Sequence, residues 1–129
     1  MKTIVSAILA LGLLSAEGIA QQQKRALKVE DFARIKSVGD PQISPDGGWV
    51  AYTVTTTDLK KANSDTDVWM VSWDGSTSLR VTSTPEGESS PRWSPDGKYL
   101  SFTSGRQEGK GGQVWLLDRR GGEAQRLTE

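Results

Sequence analysis

The chain has 129 residues, and its 16 Lys and Arg balance 16 Asp and Glu to a formal net charge of zero. With no basic run longer than two residues, it lacks the electrostatic footprint of a nucleic-acid-binding protein. It contains neither Cys nor His, which excludes disulfides, Cys or Cys-His nucleophiles, Cys- or His-ligated metal sites and a Ser-His-Asp triad within these residues.

Met1 to Ala20 reads as a secretory signal peptide. Lys2 supplies a positive start, Ile4 to Leu14 an apolar stretch of 11 residues, and Gly18-Ile19-Ala20 small residues at the cleavage positions. The expectation is an exported product, periplasmic or secreted, with no membrane attachment after cleavage. Residues 21–39 follow as a polar linker and a short helix. The helix is expected within Leu27 to Val38, where Val29, Phe32, Ala33 and Ile35 or Lys36 fall near helical spacing.

From Asp40 onward the chain repeats itself. Ser44-Pro45-Asp46-Gly47 recurs as Ser94-Pro95-Asp96-Gly97, and Trp49-Val50-Ala51-Tyr52-Thr53 aligns with Tyr99-Leu100-Ser101-Phe102-Thr103. Val68-Trp69-Met70-Val71 aligns with Val114-Trp115-Leu116-Leu117, and Arg80-Val81-Thr82 with Arg126-Leu127-Thr128. The offset is 50 residues at the tetrapeptide and 46 from Val68 on, so one supersecondary unit is built twice and only a middle loop differs in length.

Each unit predicts four short antiparallel strands. Pro presets φ at the second position of the Ser-Pro-Asp-Gly turn, Asp suits the third, and Gly takes the left-handed conformation leading into the next strand. Gln42 to Ser44 and Arg92 to Ser94 enter the turn. Val50, Tyr52 and Val54 then share a face in the first copy, as do Leu100 and Phe102 in the second. A polar loop (Thr55 to Asp67, or Ser104 to Gln113) leads to a third strand. That strand, Val68 to Trp73 or Val114 to Arg119, carries consecutive apolar residues as if buried on both faces. A second turn at Asp74-Gly75 or Arg120-Gly121-Gly122 leads to Leu79–Thr82 or Gln125–Thr128.

Four such strands with a repeated aromatic pattern describe a β-propeller blade. An ordinary antiparallel sandwich offers no reason for the repeat. The expected fold is all-β, a partial propeller with blades at residues 40–83 and 84–129. Propellers close with about 4–8 blades, so the chain is expected to be the N-terminal piece of a longer protein.

With the repeats aligned, the chain resembles the start of a prolyl oligopeptidase-family serine peptidase of the acylaminoacyl-peptidase and dipeptidyl-peptidase branch. The resemblance runs from about Val29 to Glu129. The blade motif itself is shared with TolB-type propellers. More specific are Asp31-Phe32-Ala33-Arg34-Ile35 with Val38 to Ser44, Glu88-Ser89-Ser90-Pro91-Arg92-Trp93, and Gln113 to Asp118 running into Gly121-Gly122-Glu123-Ala124. The resemblance implies a propeller that caps a C-terminal α/β-hydrolase domain and restricts entry to short peptides, with the catalytic Ser, Asp and His in that absent domain. No Gly-x-Ser-x-Gly stands here to receive a nucleophile. The acidic motif by which dipeptidyl peptidases hold a substrate amino terminus has no match either.

Other candidates have simpler readings. Asn63, Asp65 and Asp67 alternate like a calcium loop but lack its Gly and terminal Glu, and read as a solvated blade loop. Gly105 to Gly112 misses the phosphate-loop spacing, with Gly111 in place of the Ser or Thr. Glu86 and Glu88 flank Gly87 in what reads as an exposed link between blades. Trp69, Trp93 and Trp115 read as blade packing, Trp73 as the exposed aromatic, and Arg119-Arg120 as a turn with solvated charge. No residue is assigned a catalytic, cofactor-binding or metal-ligating role, and no cofactor is expected. The alternative is a TolB-like periplasmic propeller acting as a protein-binding module. A two-blade protein completed by oligomerisation is the third reading.

Overall fold

The computed structural model describes residues 25–106 and 111–129. The signal-peptide reading of Met1 to Ala20 lies outside the described residues, as does the centre of the Gly105 to Gly112 loop. One short helix, α1 (Val29–Phe32), precedes two four-stranded antiparallel sheets. The first comprises β1 (Ser37–Ile43), β2 (Trp49–Asp58), β3 (Asn63–Ser72) and β4 (Ser78–Arg80), and the second β5 (Glu88–Trp93), β6 (Tyr99–Ser104), β7 (Gln113–Asp118) and β8 (Gln125–Arg126). Each sheet is an up-and-down meander with strands in chain order. The expected two-blade, all-β architecture stands.

The Ser-Pro-Asp-Gly turns fold alike because the same side chains make the same bonds. Ser44 Oγ accepts from Trp49 N at 2.9 Å and donates to Asp46 Oδ1, which also accepts from Gly48 N at 3.0 Å. Ser94 and Asp96 repeat this with Tyr99 N and Lys98 N at 2.9 and 3.1 Å. Gly47 and Gly97 sit at φ 71° and 68°, where a side chain is strained. The pattern occurs a third time at Ser72-Trp73-Asp74-Gly75, with Ser72 Oγ on Thr77 N and Asp74 Oδ1 on Ser76 N. The operative motif is therefore Ser-x-Asp-Gly.

Three expectations need correcting. Thr55 to Asp67 is no loop in the first sheet, since β2 and β3 stay paired out to Asp58 opposite Asn63. Threonine-rich Thr53 to Thr57 suits an extended chain, and the Thr55 and Thr66 hydroxyls bond across the pair at 2.8 Å. The helix shrinks to four residues because Leu27, Val29, Phe32 and Ile35 are all exposed, with no surface to pack on. Ser37 and Val38 join β1 instead. The third strand is fully buried only at Asp67 and Val68, whereas Trp69, Met70 and Val71 remain half-buried.

The core lies between the sheets. Ala51 and Val68 of the first meet Leu100 and Phe102 of the second, with Val81, Trp93, Trp115, Leu117 and Ala124 packed around them. Pairing places Leu100 opposite Leu117 and Phe102 opposite Trp115, so one face of the second sheet supplies all four. Burying side chains such as Leu100 and Phe102 contributes about 1.5–3 kcal/mol each.

Candidate functional site

The junction between the sheets holds the concentrated polar chemistry of the described residues, in three groups. The first centres on Glu88, which opens β5 and is 1% exposed. Its Oε1 accepts from the hydroxyls of Thr84 and Ser104 and, at 3.4 Å, from Nε and Nη2 of Arg106. Arg106 in turn lies 5.0 Å from the ring centroids of both Phe102 and Trp115. Glu88 is therefore buried, not exposed as the sequence reading had it. Gly87 beside Glu86 and Glu88 suggested a loose link, but the chain has already entered β5 at Glu88.

The second group lies on β3 and β4. Asp67, also buried, accepts from Arg80 Nη2 at 2.7 Å, while Asp65 stands 3.9 Å from the same guanidinium. Burial, reinforced by the charge of Asp67, pushes the Asp65 carboxyl up despite Arg80. Asn63, Asp65 and Asp67 thus belong to a paired strand and not to a solvated loop. Among the described residues no group of three His, Cys, Asp or Glu is placed to hold a metal ion.

The third group joins the innermost strands. Arg92 Nη1 donates to both oxygens of Asp40 at 2.9 and 3.0 Å, and Trp93 Nε1 donates to the Gln42 carbonyl at 2.9 Å. The Arg92 hydrogen bond holds the Asp40 carboxyl below its ordinary range. Nearby, Arg119 places its guanidinium 5.4 Å from the Trp49 ring and 4.9 Å from the Trp93 ring, with Nη1 on the Gly97 carbonyl at 3.1 Å.

Arg119 is therefore not solvated charge. Arg120 is the exposed member, paired with Asp118. The sequence carried a signal for this, since Arg119 stands where the first copy has Trp73. Trp73 itself is 71% exposed, as expected, and Trp69 and Trp115 are half-buried in their sheets. Of the three groups, the one built on Arg92, Trp93 and Arg119 fastens one sheet to the next. The sealed Glu88 acts as a hydrogen-bond acceptor.

Comparison with known proteins agrees with this geometry. No protein-family model matches the chain. An uncharacterised peptidase of Bacillus subtilis, YuxL, is 35% identical over 106 residues, covering 82% of this chain and 16% of its own. A TolB homologue of Chlorobium luteolum is 36% identical over 94 residues, covering 71% of this chain and 21% of its own. Among solved structures, the acylaminoacyl peptidase of Pyrococcus horikoshii superposes with a TM-score of 0.63 at 22% identity, over 76% of this chain and 14% of that one. The β-propeller domain of the trilobed protease from Pyrococcus furiosus superposes at 0.58 with 23% identity, over 71% and 27%.

The class that fold and junction define is a pair of consecutive β-propeller blades. More particularly, the chain is similar to the propeller portion of prolyl oligopeptidase-family peptidases, as its repeats and flanking motifs indicated. It spans 16% and 21% of the length of the two curated relatives.

Proposed function

We propose that the chain is the N-terminal propeller portion of an exported serine peptidase of the prolyl oligopeptidase type, hydrolysing short peptides in the manner of acylaminoacyl- or dipeptidyl-peptidases. The observation that carries this reading is the 35% identity to a peptidase over 106 residues. In the proposal the blades gate access to a C-terminal α/β-hydrolase domain, which supplies the Ser nucleophile and its base for acyl transfer. The blades themselves contribute walls fastened to each other at Arg92 and Arg119, and no catalytic group. The Met1 to Ala20 segment directs export, and no membrane or nucleic-acid partner enters the reading.

The alternative, a TolB-like periplasmic propeller that binds protein partners, is favoured by the 36% identity over 94 residues to a TolB homologue. One experiment separates them. The genomic reading frame is followed past the Glu129 codon, and its full product is expressed and exposed to a fluorophosphonate probe and to acylated and dipeptidyl chromogenic substrates. Further blades, a Gly-x-Ser-x-Gly segment, probe labelling and turnover support the peptidase. A frame of blades alone, unlabelled and inactive, supports the binding module.

A further inference from the structure

The chain contains one asparagine, Asn63, and it stands at the end of the long hairpin formed by β2 and β3. Register runs unbroken from Trp49 opposite Ser72 to Asp58 opposite Asn63, the last pair before the connecting residues 59–62. Ala62, just before it, takes left-handed backbone at φ 48°. Asn63 and Ser64 are both exposed.

Which backbone groups face out of this hairpin follows from Val68. Its N–H donates to Thr82 Oγ1 at 2.9 Å and its carbonyl accepts from Val81 N at 2.8 Å, so both point away from β2. Antiparallel ladders alternate, and Thr66 and Ser64 therefore also turn their N–H groups away from β2. On that edge β4 pairs only with Trp69 to Val71, and no other strand of the described residues pairs with it. The Ser64 N–H turns instead to the Asn63 side chain, whose Oδ1 accepts from it at 2.9 Å. The Asn63 amide carbon, one bond from that oxygen, is thereby held beside the Ser64 nitrogen.

We propose that Asn63 is a self-modification site, at which the backbone nitrogen of Ser64 attacks the side-chain amide carbon of Asn63. The new N–C bond closes a succinimide ring. The Ser64 N–H proton passes by way of solvent to the side-chain nitrogen, which leaves as ammonia. Water then adds to either ring carbonyl and breaks one ring C–N bond, giving aspartate or isoaspartate at position 63. Only the terminal pair of the hairpin has to open for Asn63 to turn into this geometry, and local opening costs least at such ends. The product places a carboxylate opposite Asp58 and on the face that carries Asp65. Like charges directly opposite one another destabilise a strand pair, so conversion loosens the hairpin end.

The Asp-Gly pairs at 46–47, 74–75 and 96–97 could close the same ring through their carboxyl groups, and the fold blocks each of them. Gly47, Gly75 and Gly97 donate their N–H groups to the carbonyls of Ser44, Ser72 and Ser94 at 2.8, 2.8 and 2.9 Å, which commits the attacking nitrogen. Each Asp carboxylate accepts from the same Ser hydroxyl and from the amide two residues on. Those bonds keep it ionised and a poor electrophile. Unfolding releases all three pairs, and glycine leaves the attack unhindered.

The inference concerns the hairpin and the turns, and it holds under either reading of the longer protein. The test incubates the full product of the reading frame in mildly alkaline heavy-oxygen water, natively and in urea, until the urea sample has reacted. Each ring opening leaves one solvent oxygen in the chain, so the isotope records asparagine conversion and aspartate isomerisation alike. Trypsin cuts after Lys61 and Arg80, and the fragment from Ala62 to Arg80 reports Asn63 and the Asp74-Gly75 pair together. The native protein is expected to carry label at position 63 and none at the Asp-Gly pairs, whereas the urea sample carries it at all of them. Ser64→Pro removes the attacking N–H without costing a ladder bond. It is expected to abolish label at position 63 in both samples, including urea, where folding plays no part. The proposal is overturned if native Asn63 stays unlabelled while urea converts it. It is overturned equally if the native Asp-Gly pairs take up label as readily as Asn63, or if the Ser64→Pro variant is still labelled at 63.

Discussion

Arg92 on the innermost strand of the second blade and Asp40 on the innermost strand of the first form a two-pronged ion pair, one guanidinium nitrogen within 3.0 Å of both carboxylate oxygens. The partners are 52 residues apart in sequence. The pair ties together the two strands that approach each other where the blades converge.

Because Arg92 is half exposed, its contribution should be modest and screened. Arg92→Ala is expected to lower unfolding stability by about 0.5 kcal/mol at low ionic strength and by less in 1 M salt. Urea midpoints in the two buffers measure this. An equal loss in both would assign the effect to packing of the Arg92 stem.

Removing Glu88 should cost far more. Glu88→Ala leaves the Arg106 guanidinium and the Thr84 and Ser104 hydroxyls without their shared acceptor in a sealed position, a loss of about 3 kcal/mol. Glu88→Gln keeps an acceptor and should fall between wild type and Ala. Chemical denaturation of the three proteins gives the order.

Arg119 acts through a planar cation against two indoles. Arg119→Lys keeps the charge but loses the flat guanidinium, and is expected to destabilise by about 1 kcal/mol. Arg119→Ala should do so at least as much. The accompanying change in Trp49 and Trp93 fluorescence would be absent if the two rings did not flank the side chain.

Acid should loosen the turns. The hydroxyls of Ser72 and Ser94, followed by backbone N–H groups, bring Asp74 and Asp96 each down to about 2. A folded value below the unfolded one of about 3.9 means stability fully present above that range and lost as pH falls toward 2. Asp65, raised by burial, has the opposite sign, since protonating it relieves a cost. The urea midpoint is therefore expected to hold between pH 7 and pH 5 and to fall between pH 4 and pH 2. In an Asp74→Asn, Asp96→Asn double variant that fall should be shallower.

Gly47 and Gly97 provide a paired control. A Cβ at Gly47 meets nothing within 4 Å, and one at Gly97 meets Pro45 at an ordinary 3.6 Å. Alanine at either position should cost about 1 kcal/mol through the left-handed backbone alone. A much larger loss at Gly97 would show that the two turns pack more tightly than these distances indicate.

The blade pattern was legible because the features that write it are local. Ser-x-Asp-Gly closes its own turn, and alternation sets the face on which Leu100 and Phe102 lie. What escaped depends on contacts that the local sequence does not display. Glu88 beside a glycine looks like any surface carboxylate until Thr84, Ser104 and Arg106 gather on it. Arg119 looks solvated until Trp49 and Trp93 arrive from elsewhere in the chain. The length of the first hairpin was missed for a different reason. Asp58, Lys60, Lys61 and Asn63 are polar, as in a loop, but a strand that leaves the core can continue on threonines paired across it.

One recurring irregularity governs how these sheets can grow. Both innermost strands break register at the same place, between Gly39 and Gln42 and between Ser89 and Arg92. Asp40 and Ser90 take left-handed backbone there, each followed by a proline. An edge strand that bulges and lacks an amide proton at its midpoint offers a poor template for a fifth strand. Each blade is thereby discouraged from extending sideways past its innermost strand into a wider sheet or a cross-β stack.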